Sequence, residues 1–94
     1  MRYWLSYDLG LRGNYDKLYE WLDGLKAKEC GDSVATFITD RTRDQITQEL
    51  SGILDKWARV YLINTGSGGR FIMGRRKAAP WYGYAQTEEA EDSP

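Results

Sequence analysis

Between Arg2 and Leu9 the chain alternates with a period of two. Tyr3, Leu5, Tyr7 and Leu9 form an apolar row, and Arg2, Trp4, Ser6 and Asp8 form the other. That period predicts a β-strand with one face on a core and a second, mostly polar face. Gly10 and Gly13 supply a turn. Asn14 suits a helix N-cap, and Asp16 suits the positive end of the helix dipole. Tyr15, Leu18, Tyr19, Leu22 and Leu25 then recur at helical spacing, with Lys17, Glu20 and Asp23 off the stripe. This is the pattern of a surface helix of about four turns, with Gly31 beyond its end.

Ser33 to Thr39 is rich in β-forming side chains and predicts a second main strand; Lys28-Glu29-Cys30 is short enough to hairpin onto it through Gly31-Asp32. Thr42-Arg43-Asp44-Gln45 matches a capping box, and Ile46, Leu50, Ile53, Leu54 and Trp57 follow at helical spacing. Arg59 to Asn64 is the last clear strand, Thr65 to Gly69 reads as a loop, and Arg70 to Met73 as a further strand. Helices alternating with short strands fit an α+β sandwich, with an antiparallel sheet and both helices on one face. The expected fold is therefore ferredoxin-like, βαββαβ, with an extra C-terminal strand. Residues 1–84 make its single domain, and 85–94 an acidic, disordered tail.

Composition narrows the function. Ninety-four residues leave no room for a second core, and a domain this small has a thin stability margin. Four Trp and seven Tyr exceed the needs of one small core; both types favour interfaces and base-stacking surfaces. The net charge of −1 hides a partition, because Glu88, Glu89, Glu91 and Asp92 crowd the end. Setting these four aside leaves 13 basic against ten acidic residues, about +3 for residues 1–87. With no histidine, Ser-His-Asp and Cys-His catalysis, histidine-based ribonuclease chemistry and most zinc sites are excluded. A single cysteine, Cys30, fits a reducing compartment and reads as a small packing residue. No stretch approaches the roughly 18 apolar residues of a membrane span, so a cytoplasmic protein without membrane association is expected.

Three clusters carry candidate chemistry. Trp4 and Ser6 share the second face of strand one with Asp8, where a large aromatic on an open sheet calls for a covering subunit. Both are candidate homodimer-interface residues. Arg70, Arg75, Arg76 and Lys77, interleaved with Phe71 and followed by Trp81 and Tyr82, combine phosphate-neutralising charge with stacking surface. They are the candidate nucleic-acid contacts, against the plainer reading of a solvated basic loop. Thr65-Gly66-Ser67-Gly68-Gly69 lacks the Lys-Ser/Thr of a phosphate loop and reads as a mobile turn.

Tyr3-Trp4-Leu5-Ser6-Tyr7-Asp8-Leu9, then Asn14 to Leu18, then Asp32-Ser33-Val34, resembles the small CRISPR-associated adaptation proteins, the second conserved component of those systems, and their stand-alone relatives. The likeness spans residues 2 to about 64 in element order. Gly31 and Ala35 depart from the adaptation proteins proper and bring the chain nearer the stand-alone relatives. The resemblance implies a two-fold dimer of ferredoxin-like protomers and an association with nucleic acid. Some members are magnesium-dependent nucleases and others bind DNA structurally. The family's metal-site aspartate falls on Asp8, and its strand-entry serine on Ser33. Asp8 is accordingly the candidate catalytic and magnesium-binding residue, with two copies meeting near a two-fold axis to share a cation. The competing reading has Asp8 accepting backbone N–H bonds in the turn that follows it. Three functions remain open: a magnesium-dependent endonuclease, a non-catalytic dimeric interaction module, and a small toxin ribonuclease.

Overall fold

The computed structural model describes residues 1–86. Its elements are β1 (Arg2–Asp8), α1 (Tyr15–Gly24), β2 (Lys28–Glu29), β3 (Val34–Ile38), α2 (Arg43–Ile53), β4 (Arg59–Asn64) and β5 (Gly68–Met73), followed by a short 3-10 turn at Tyr84–Gln86. The five strands form one antiparallel sheet in the order β2-β3-β1-β4-β5. This is the ferredoxin-like α+β arrangement, with β5 added to the outer edge of β4. The acidic tail expected at 85–94 lies outside the described residues from position 87 onward.

The alternation of β1 decides which face is covered. Tyr3, Leu5 and Leu9 are buried beneath the helices together with Ala35 and Phe37 of β3 and Val60 and Leu62 of β4. Leu18 and Leu22, one helical turn apart on α1, and Ile46 and Leu50, likewise spaced on α2, close this core from the other side. Both helices start as their caps predict. Asn14 Oδ1 accepts from the Lys17 N–H at 3.3 Å. Thr42 Oγ1 accepts from the Gln45 N–H, and Gln45 Oε1 accepts from the Thr42 N–H. Tyr7, on the helix side of β1, meets Tyr15 and Tyr19 edge-on, and burial pushes its hydroxyl pKa up.

Four local expectations are corrected. α2 ends at Ile53, so Trp57 is off the helix and 74% exposed, with Lys56 over its ring. Cys30 is exposed at the β2–β3 turn and packs in no core. The extra strand begins at Gly68, two residues earlier than its side chains suggest. The loop before it is tied down: Asn64 Oδ1 accepts from Ser67 N at 2.7 Å and from Ser67 Oγ. Buried Arg43, in the first turn of α2, donates to Ser67 Oγ and to the Gly68 carbonyl at 2.9 and 2.8 Å. The glycine-rich segment thus spends its polar groups on the fold. Among the described residues no helix is long and apolar enough to cross a membrane.

Candidate nucleic-acid interface

The sheet's other face is covered by no helix among the described residues. It displays Arg2, Trp4, Ser6 and Asp8 from β1, Val34, Thr36 and Ile38 from β3, Arg59, Tyr61 and Ile63 from β4, and Phe71 from β5, as the register requires. This face has two halves. Toward β3 it is mostly apolar: Trp4 lies between Thr36 and Ile63 across the strands, Ile38 is 63% exposed, and Arg2 at the edge donates to Thr36 Oγ1. Toward β5 it is aromatic and basic. Tyr61 and Phe71 pair across the strands with ring centroids 5.0 Å apart, edge to face. The Arg76 guanidinium covers both, 5.5 Å from the Phe71 centroid and 5.9 Å from that of Tyr61. A cleft of about 400 Å³ opens between Ser6, Asp8 and Arg59 on one side and Tyr61, Phe71 and Arg76 on the other.

Two glycines make this geometry possible. A Cβ at Gly69 would stand 2.5 Å from Tyr61 Cε1 and 2.8 Å from Ile63 Cγ1, so the Tyr61 ring lies where a side chain at 69 would be. Gly74 has a φ of +73°, and a Cβ there would meet Arg59 Cγ at 2.8 Å and the Ala58 carbonyl at 3.0 Å. Only glycine takes that bend at no steric cost, and the bend leads the chain from β5 into the segment that bears Arg75 and Arg76.

Asp8 sits at the rim of the cleft. Its Oδ1 accepts from the Gly10 N–H at 3.2 Å, the local bond of the competing reading. Its Oδ2 accepts from Arg59 at 2.9 Å, and the two side chains are 53% and 26% exposed respectively. The bond from Arg59, then the one from Gly10, holds the carboxyl pKa below its ordinary value of 3.8, with Lys77 adding charge from nearby. Arg59 also donates to the Arg75 carbonyl at 3.4 Å, while its Nε is buried with no partner.

These contacts bear on the magnesium expectation. A cation at Asp8 would have to displace or sit beside a guanidinium already on the carboxylate. Among the described residues no group of three or more acidic or cysteine side chains could hold a metal. Within one chain the carboxylate available to an ion at Asp8 is already bonded to Arg59.

Of the expected site residues, Ser6, Asp8 and Arg76 come together in the cleft, with Arg75 and Lys77 alongside in sequence. Arg70 does not join them. It pairs with buried Leu62, so it projects from the helix side of β5 and remains exposed. Trp4 stays on the apolar half of the face, half-buried. Ser33 takes a left-handed φ of +62°, and its carbonyl accepts from the Tyr7 N–H at 3.0 Å, which extends the β1–β3 ladder. Arg59 and Tyr61 were not singled out by sequence. The signal that could have found them is the alternation of β4, which sets Arg59, Tyr61 and Ile63 opposite the core row Val60 and Leu62.

The chain matches no protein-family model, no curated protein and no solved structure among those compared. Function therefore rests on the site itself.

Proposed function

We propose that this protein is a nucleic-acid-binding homodimer that acts by contact, without metal chemistry at Asp8. The observation that carries this reading is the Arg76 guanidinium within cation–π distance of Tyr61 and Phe71 on a sheet face that no described helix covers, next to Arg59. Aromatic rings on an uncovered sheet offer bases a stacking surface, and neighbouring guanidinium groups neutralise phosphates. Arg75 and Lys77 extend the charge beyond the cleft. The apolar half of the face, with Trp4, Ile38 and Ile63, supports a second copy as partner. Placed there, a two-fold axis leaves the basic halves of both protomers at the outside.

A magnesium-dependent endonuclease is the second reading, favoured by one observation: Asp8 remains half exposed on the open face. One experiment separates the two. Binding of fluorescent DNA and RNA strands is titrated at several salt concentrations, and the same substrates are incubated with magnesium. Binding should weaken with salt, and the log–log slope should fall by roughly 1 for each phosphate-contacting side chain lost in Arg75→Gln and Arg76→Gln. Affinity independent of salt would overturn the binding reading. Magnesium-dependent cleavage abolished by Asp8→Asn would put the nuclease in its place.

A further inference from the structure

We infer that the cleft beside Asp8 is a slot for one unpaired nucleobase, so that the ligand is single-stranded; this rests on the nucleic-acid reading above. Its floor is the Tyr61–Phe71 pair, its cover is Arg76, and its rim carries Ser6 and Asp8.

The floor offers one ring face to a planar guest, since Tyr61 and Phe71 meet edge to face at 87°. Tyr61 and Phe71 are only half-buried although they pack on each other, and Gly69 keeps the Tyr61 ring down against the strand where any side chain would lift it. The guanidinium near them is planar and cationic, and it stands within cation–π distance of both ring centroids. Arg76 is exposed and belongs to residues 75–79, which have no regular structure, so moving it breaks no strand or helix. A base entering the slot exchanges one planar partner of the rings for another, and Arg76 can close over its far side. At about 400 Å³ the cleft is within the usual range for small-ligand sites, which begins at roughly 300 Å³.

The rim adds acceptor capacity beside the Arg59 guanidinium. Each Asp8 oxygen accepts one bond, from Gly10 or Arg59, and a carboxylate oxygen has capacity for a second. Ser6 supplies a hydroxyl on the same strand face. These acceptors suit a base edge that carries an exocyclic amino group. Arg75 and Lys77, next to Arg76 in sequence, are exposed and free to meet the sugar–phosphate chain. A duplex keeps its bases stacked inside and cannot fill such a slot without flipping one out, which costs unstacking energy.

The test compares three ligands of equal length and charge per strand: a mixed-sequence single strand of DNA, the same backbone with its bases removed, and the duplex. The intact single strand should bind about tenfold or more tighter than the abasic one at constant salt, the range expected for base–aromatic stacking. Tyr61→Leu, which keeps an apolar side chain against Phe71, should close most of that gap. Arg76→Gln, at an exposed position, gives a second variant with little risk to folding. Equal binding of intact and abasic strands would overturn the slot and leave a phosphate-binding surface standing. Tighter binding of the duplex would also overturn it. If none of the three binds, the nucleic-acid reading itself fails, and the slot with it.

Discussion

Asp8 has the same identity in every reading of this chain, and what distinguishes those readings is the company it keeps. The Arg59 bond and the Gly10 N–H both favour the ionised carboxylate, so its native pKa lies below the ordinary 3.8. A lowered carboxyl pKa means that the unfolded chain binds more protons in the acid range. The stabilisation is therefore fully present above the ordinary value and is lost as pH falls through the native one. Because the carboxylate is half exposed, its worth is that of a surface pair, about 0.2–1 kcal/mol. Asp8→Asn should lower the urea midpoint slightly at neutral pH, and the gap to the wild type should vanish in strong acid. A gap that persists unchanged there would mean that Asp8 holds the fold by something other than its charge.

At the level of elements, the β4–β5 hairpin is where local pattern and tertiary contact diverge. Glycine-rich residues 65–69 have little intrinsic preference for a strand, yet Gly68 and Gly69 are in one. They are held by Asn64 within the turn and by Arg43 reaching across from α2. Arg43→Ala should destabilise the protein by about 1–3 kcal/mol, since it strips a buried partner from Ser67 and from the Gly68 carbonyl. Hydrogen exchange should show the loss concentrated in the hairpin, with α1 keeping its protection. Uniform loss across all elements would assign Arg43 to the core in general and remove it as the hairpin's anchor. Since β5 carries Phe71 and leads to Arg76, the same variant should also weaken nucleic-acid binding.

For the whole molecule, the question is what covers a sheet face with a helix layer on only one side. The apolar half of that face asks for protein, and the basic half offers itself to an anion. Sedimentation should find a dimer at micromolar concentration, and a charge on the apolar half, as in Ile38→Glu, should shift it to monomer. A wild-type monomer under those conditions would refute the dimer. Ile38→Glu should leave the abasic-versus-intact contrast of each protomer in place, because the slot is built from β1, β4 and β5 of one chain.

How much of this was legible beforehand follows from the range of the forces involved. Period-two rows, helical stripes and the two caps are local, so the strands, both helices and the ferredoxin-like order could be read from the chain itself, as could the face that Asp8 shares with Trp4 and Ser6. The short reach of such signals also explains the misses. Trp57 continues a helical spacing beyond the end of α2, and Arg70 sits close in sequence to Arg75 yet projects from the opposite face of β5. No local pattern could announce that Arg59, 51 residues from Asp8, would hold its carboxylate, because strand register made them neighbours. Nor could the sequence show that Gly69 leaves space for the Tyr61 ring, or that the bend at Gly74 comes just before the residues that include Arg76. The sequence by itself determined the elements and their faces. The tertiary structure alone decided which distant side chains meet on the uncovered one, because that depends on pairing between strands far apart along the chain.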